Sequence, residues 1–362
     1  MKILFDNQIF FSQRYGGISR YFTELIKHLN QYDDVEAVLP MTLSENIHLP
    51  RRLKLPLDAL CTMDFRGKYR MLRYINKRLS VNVLKKRKYD IFHPTYYDPY
   101  YLSLDIQKPV VITVFDMIHE LFPSYFPPYD ETRDMKKTAV GKADRIIAIS
   151  QSTKKDLCLQ LNVAPEKVTV IYLASSLSNV PLKKTAVPEK YLLFVGTRYG
   201  YKNFEFFITA IAPLLKDKKV FIFCAGGGAF NESEQKLFAE TGLQDYIFYK
   251  EVSDEELKYC YKNAIAFVLP SLYEGFGLPV VEAFSCGCPV LLSDCSSLPE
   301  VAGDAGLYFN PLSKESIFSA VSIVLDTHFD RQKYIEKGYS LSKNFTWEKT
   351  TEKTLSLYRE LL

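Results

Sequence analysis

The chain has 362 residues, of which 47% are hydrophobic and 24% charged, with 46 Lys plus Arg against 42 Asp plus Glu. That composition excludes a disordered or fibrous chain, and a net charge of +4 argues against a nucleic-acid binder. The length exceeds the roughly 250–300 residues at which a single core stops growing, so two domains are expected.

The opening residues MKILFDNQIFF carry one Lys, an acidic Asp6 and no small-residue cleavage site, and read as a first buried strand over 2–5 in place of a leader. Short apolar runs follow at 91–93, 110–115, 145–149 and 168–171, then at 191–195, 219–224, 246–248, 266–269 and 290–292. Continuous apolar strands spaced by helical patterns predict parallel sheets covered on both faces. The stretch 174–190, rich in Ser, Lys and Pro, divides the runs into two groups of five and reads as a linker. The expected fold class is α/β, with two doubly wound Rossmann-like domains facing across a cleft. Their boundaries fall at 1–175 and 176–343, and a last helix over 344–362 has Thr346 as its N-cap. No run approaches the ~18–20 apolar residues of a membrane span.

Seven Cys lie at 61, 158, 224, 260, 286, 288 and 295, an odd number without a CxxC pair. They read as reduced thiols of a cytoplasmic protein, and neither a disulfide framework nor a zinc site is expected. The five His are dispersed, so no metal set emerges.

Segment 51–88 stands apart, with thirteen Lys or Arg and only Asp58 and Asp64 as acids. Arg66, Arg70, Arg73 and Lys77 recur at helical spacing, with Leu72, Ile75 and Leu79 on an apolar side. Such a helix can lie on an anionic membrane or meet a phosphorylated acceptor. It can equally be a solvated surface helix packed on its own domain.

Four stretches carry chemistry. In Pro270-Ser-Leu-Tyr-Glu-Gly-Phe-Gly-Leu-Pro-Val-Val-Glu-Ala283, Glu274 and Glu282 flank a glycine turn that runs from a strand into a helix beginning near Leu278. Gly275 and Gly277 let the backbone approach a ligand, and the helix start offers N–H groups to a diphosphate. Phe194-Val-Gly-Thr-Arg-Tyr-Gly-Tyr-Lys-Asn203 follows the first strand of the second domain, where Arg198 and Lys202 are expected to clamp phosphate oxygens. Gly16 and Gly17, in the loop after the first strand, offer backbone N–H groups to a phosphate or sugar. At the end of the strand over 110–115, Asp116 and His119 are placed to bond sugar hydroxyls, with His93 as a weaker candidate. The run Gly226-Gly227-Gly228 lacks the Lys-Ser or Lys-Thr of a triphosphate loop and reads as a flexible turn. The Gly-x-Gly-x-x-Gly dinucleotide fingerprint is missing.

Taken together, these residues resemble the retaining, nucleotide-sugar-dependent glycosyltransferases of family four, which have the GT-B fold. The resemblance rests on Glu274-x7-Glu282 with its Gly-Phe-Gly-Leu-Pro interior, on Phe284-Ser-Cys-Gly-Cys-Pro-Val290, and on Leu298-Pro-Glu-Val-Ala-Gly-Asp-Ala-Gly-Leu-Tyr-Phe309. Val252-Ser-Asp-Glu-Glu-Leu257, Gly16-Gly17 and Phe345-Thr-Trp347 add to it. It implies a nucleotide-sugar donor on the C-terminal domain, an acceptor on the N-terminal domain, and a last helix that crosses back to the first domain. Glu274 would lie by the donor sugar and Glu282 would hold the ribose hydroxyls. Arg198 and Lys202 would neutralise the diphosphate, while Phe276 to Leu278 and Gly17 would add backbone N–H groups. The chain departs from the family at two places. Thr197 precedes Arg198, which shortens the Arg-to-Lys spacing, and Phe115 stands where many members carry a His, so His119 is expected to take over the contact to the donor sugar.

The expected function is hexose transfer, tilted toward mannose from GDP-mannose, onto a hydroxyl of a growing lipid-linked surface glycan. No metal or cofactor is expected, and the protein would work in the cytoplasm at the inner membrane face through 51–88. A catalytically silent sugar-nucleotide-binding partner of another transferase and a GT-B epimerase are the competing readings.

Overall fold

The computed structural model describes residues 1–55 and 65–362. Cys61, Asp58 and Asp64 of the basic segment lie outside the described residues. The chain forms two compact units, Met1–Leu173 with Trp347–Leu362, and Ala174–Thr346.

The first unit is built on six parallel strands: β1 (Lys2–Phe5), β2 (Glu36–Val38), β3 (Ile91–His93), β4 (Val111–Val114), β5 (Arg145–Ala148) and β6 (Val168–Val170). Two three-stranded sheets, β2-β1-β3 and β4-β5-β6, meet through a parallel bridge between Phe92 and Val110. β3 and β4 are buried at every position, as strands covered by helices on both faces must be. The helix Trp347–Arg359 belongs to this unit. Trp347 stacks on His28 at 5.6 Å, Thr350 Oγ1 donates to the Tyr172 carbonyl at 2.8 Å, and Tyr358 OH lies 2.5 Å from His93 Nδ1. His93 is thus a fully buried structural partner of that helix, 2.9 Å from Thr113 Oγ1 on its other side.

The second unit carries β7 (Tyr191–Val195), β8 (Phe221–Ala225), β9 (Ile247–Lys250), β10 (Ala266–Leu269), β11 (Val290–Ser293) and β12 (Gly306–Phe309). All six run parallel in the order β12-β11-β10-β7-β8-β9. The helix Phe204–Lys218 buries Phe204, Phe207, Ile208, Ile211 and Leu215 in the core on this sheet. Two other helices of this unit start with reciprocal capping boxes, Asn231 with Glu234 and Ser253 with Glu256, which satisfy otherwise unpaired helix donors.

Sequence reading missed β2 and β12. Both are short edge strands: β2 has three residues with one exposed, and three of the four in β12 are only half-buried. The stretch 174–190 is not a free linker. Leu177 is fully buried, Lys258 Nζ donates to the carbonyls of Ser178 and Val180 at 2.7 Å each, and Lys183 N–H reaches Glu255 O at 3.1 Å.

The basic segment contains the helix Lys68–Lys85. Its apolar side packs on its own unit, with Leu72 against Leu43 and Asn76 exchanging two 2.9 Å bonds with the Leu43 backbone. Arg66, Arg70, Arg73 and Lys77 are exposed, and Tyr69 and Tyr74 stand among them with 67% and 57% of their surface open. No described helix is long and apolar enough to cross a membrane.

Candidate active site

In the second sheet the chain progresses outward from β7 through β8 to β9, then returns to the other side of β7 for β10 and onward. The loops leaving the carboxyl ends of β7 and β10 thus flank the topological switch point, the place where open α/β sheets bind their ligands. Lys202 sits in the loop after β7 and Glu274 in the loop after β10. Leu272 N–H donates to Tyr201 O at 2.8 Å and stitches the two loops together.

Lys202 Nζ donates to Glu274 Oε1 at 2.7 Å, and Ser271 Oγ donates to the same oxygen at 2.6 Å. The main chain of Glu274 is fixed as well. Its N–H donates to Ser296 Oγ and its carbonyl accepts from Ser297 Oγ, both at 2.9 Å. Ser296 holds φ at +52°, a region that non-glycine residues seldom enter. These serines come from the loop after β11, so three consecutive sheet loops set one carboxylate.

Gly275 and Phe276 are buried, and the Phe276 ring packs edge-on to Phe345 at 5.6 Å. Gly277 caps the helix Leu278–Ser285 with φ +85°, and a Cβ there would stand 2.7 Å from Leu298 Cδ2, so only glycine fits. Glu282 lies on this helix, buried, and Tyr261 OH donates to its Oε2 at 3.2 Å.

Arg198 corrects the expectation of a phosphate clamp. Its guanidinium is buried and spent inside the unit: Nε donates to Glu234 Oε1 at 2.6 Å, and the terminal nitrogens reach the carbonyls of Gly226 at 3.2 Å and Gly228 at 2.7 Å. The ring of Phe230 lies 4.8 Å from the guanidinium carbon. The triple glycine is accordingly a fixed turn, with φ of 73°, 82° and 82°. Gly227 abuts the Gly196 carbonyl so closely that any Cβ would collide with it.

In the first unit, the helix Gln8–Ser12 intervenes between β1 and the glycine pair, so Gly16 and Gly17 do not directly follow the strand. Gly17 opens the helix Gly17–Leu29 with empty space where a Cβ would stand, whereas a Cβ on Gly16 would strike the Gln13 side chain. Asp116, at the end of β4, keeps 28% of its side chain exposed and accepts from Ile118 N–H at 3.1 Å. Lys136, fully buried, donates to Asp116 O and Glu120 Oε2 at 2.9 Å each and shapes this turn.

The His119 ring stacks on Phe126 at 3.9 Å, with Nε2 3.7 Å from Asp130 Oδ2. Burial, and then the Lys136 charge, push its pKa down. Phe115 instead enters the core, edge-on to Tyr21 at 5.4 Å. His119 and Phe115 thus stand in different surroundings, the first against Phe126 and the second against Tyr21.

Glu234, Lys136, Tyr261, Ser271 and Ser296 escaped sequence reading. Each acts through a partner distant in sequence, except Ser271, whose place just before the Glu274 turn was the one available signal. Among the described residues no group of three or more His, Cys, Asp or Glu could hold a metal ion.

Two family models account for most of the chain. Glycosyltransferase Family 4 matches residues 15–175 and Glycosyl transferases group 1 matches residues 182–341. O-antigen chain mannosyltransferase B of Escherichia coli is 28% identical over 95% of this chain and 96% of its own. O-antigen chain mannosyltransferase RfbU of Salmonella typhimurium is 34% identical over 60% of this chain and 62% of its own. The solved structure of sucrose-phosphate synthase from Thermosynechococcus elongatus superposes with a TM-score of 0.76 at 21% identity, covering 100% of this chain and 99% of that one. With both domains matched and both units built on parallel, Rossmann-like strands, the chain belongs to the group 1, family 4 glycosyltransferases of GT-B fold.

Proposed function

We propose that this glycosyltransferase moves a hexose, mannose from GDP-mannose before others, onto a hydroxyl of a growing lipid-linked surface glycan with retention of configuration. The observation that carries the reading is the pairing of Lys202 with Glu274 at the switch point of the second sheet. A departing nucleoside diphosphate gathers negative charge, which an ammonium and a helix N-terminus stabilise. Lys202 and the start of the helix Leu278–Ser285 meet that need, and Glu282 on the same helix suits ribose hydroxyls. Arg198, held by Glu234, is not counted among the phosphate contacts in this reading.

The acceptor reading draws on the two O-antigen mannosyltransferases and on the exposed basic face of Lys68–Lys85, which suits the anionic inner face of a membrane. On the first unit, Gly16, Gly17, Asp116 and His119 would contact sugar. The donor is a substrate, and no cofactor or metal is assigned. The test is a panel of GDP-mannose, UDP-glucose, UDP-galactose and UDP-N-acetylglucosamine, followed by binding heat and by sugar release with and without chelator. One donor bound and turned over in chelator supports the reading. Binding without turnover in the presence of glycan acceptors favours a silent partner, and no binding overturns the site.

A further inference from the structure

The second unit contains a buried pairing that none of the motifs announced. Tyr261 lies near the end of the helix Asp254–Asn263, which runs into β10, and Glu282 lies on the helix that leaves the loop after β10. Tyr261 has no exposed surface, and its ring is fixed edge-on to Phe267 at 5.5 Å. Its hydroxyl donates to Glu282 Oε2 at 3.2 Å, the pairing that favours a phenol in a buried place. Beside Tyr261, the Cys260 carbonyl accepts from Tyr191 OH of β7 at 2.6 Å, which ties this end of the helix to the sheet.

We propose that Tyr261 is a positioning residue that orients the Glu282 carboxylate for the ribose hydroxyls of the donor. The proposal rests on Glu282 being the ribose ligand and adds what aims it. A carboxylate on a three-torsion side chain has several rotamers, and a fixed donor at one oxygen selects among them. Burial also keeps the phenol protonated, because its pKa is pushed far above the usual value, so it remains a donor at every working pH.

The test titrates GDP and UDP, with their 2′-deoxy and 3′-deoxy counterparts, into wild type, Tyr261→Phe, Glu282→Gln and the double variant. Tyr261→Phe retains the ring against Phe267, and its melting temperature reports folding separately. A hydrogen bond to a charged group corresponds to about 10–100-fold in affinity. Wild type is therefore expected to prefer the ribonucleotide by about 10-fold or more. In Tyr261→Phe that preference shrinks severalfold, and the double variant behaves as Glu282→Gln alone. Full ribose preference in Tyr261→Phe, with the preference lost in Glu282→Gln, overturns the proposal while leaving the ribose reading intact. Full preference in Glu282→Gln overturns the ribose reading and the proposal with it.

Discussion

Lys202 and Glu274 meet at 2.7 Å, one from the loop after β7 and the other from the loop after β10, with 20% and 12% of their side chains exposed. A bound diphosphate would compete with Glu274 for the same ammonium. Glu274→Gln is expected to bind nucleoside diphosphate as tightly as wild type or several-fold tighter, while transfer falls by about 100-fold or more. Lys202→Ala should lose about 10–100-fold in diphosphate affinity, the range of a charge-assisted hydrogen bond. Calorimetric titration beside a transfer assay reads both. Weaker diphosphate binding in Glu274→Gln would count against the competition.

Arg198 and Glu234 form an ion pair with only 3% and 4% of their side chains exposed, so solvent screens it little. Replacing Arg198 with Met removes the counter-charge of Glu234, which keeps only the Asn231 N–H, and the donors to the carbonyls of Gly226 and Gly228. Removing one partner of such a pair costs about 3–5 kcal/mol. A drop of several degrees in melting temperature is the expected outcome, with Arg198→Lys falling between. A variant that melts as wild type does but fails to bind diphosphate would restore Arg198 to the phosphate.

The contrast between Arg198 and Lys202 shows what the sequence could carry. Both follow β7, and spacing alone made them equivalent cations at a strand end. Their difference comes from Glu234, 36 residues on, whose capping role gives no hint that its carboxylate also reaches back to β7. The Glu274-x7-Glu282 turn was legible because one strand-to-helix connection holds it entirely. Ser296 and Tyr261 were not, since their partners sit on other loops and helices. For the fold, ten strands were readable from apolar runs, while β2 and β12 are short and each buries only one of its residues fully, which leaves a weak signal.

His93 gives the first unit a pH dependence. Burial pushes its pKa down to about 3 from the ordinary 6.5. Between those values the unfolded chain takes up a proton that the folded one refuses, so stability is lost as pH falls below about 6.5. The slope approaches about 1.4 kcal/mol per pH unit from this residue. His119, also shifted down, adds a contribution of the same sign. Urea titrations at pH 7, 6 and 5 should show the decline, and His93→Gln should flatten it while lowering stability at pH 7. An equally steep decline in that variant would place the titration elsewhere.

The face of the helix Lys68–Lys85 that carries Arg70, Lys77 and Arg78 has no acidic residue along the helix to offset it. Arg73 is the exception in use, since it pairs with Asp98 at 2.8 Å. Tyr69 and Tyr74 suit the headgroup layer, where amphipathic rings settle. Each base near an anionic leaflet contributes about 1 kcal/mol. Reversing Arg70, Lys77 and Arg78 to Glu removes three such terms and adds three repulsive ones, so binding to vesicles containing phosphatidylglycerol should fall by more than about 100-fold. The apolar contacts of Leu72 are untouched, and the melting temperature should hold. Wild-type binding should also weaken steeply between 0.05 and about 0.5 M salt, as the screening length shortens. Flotation reads both effects. Recovery of wild type at the bottom of the gradient at low salt, or equal flotation of the triple variant, would remove the membrane from the acceptor reading and leave a phosphorylated glycan carrier as the anion these bases meet.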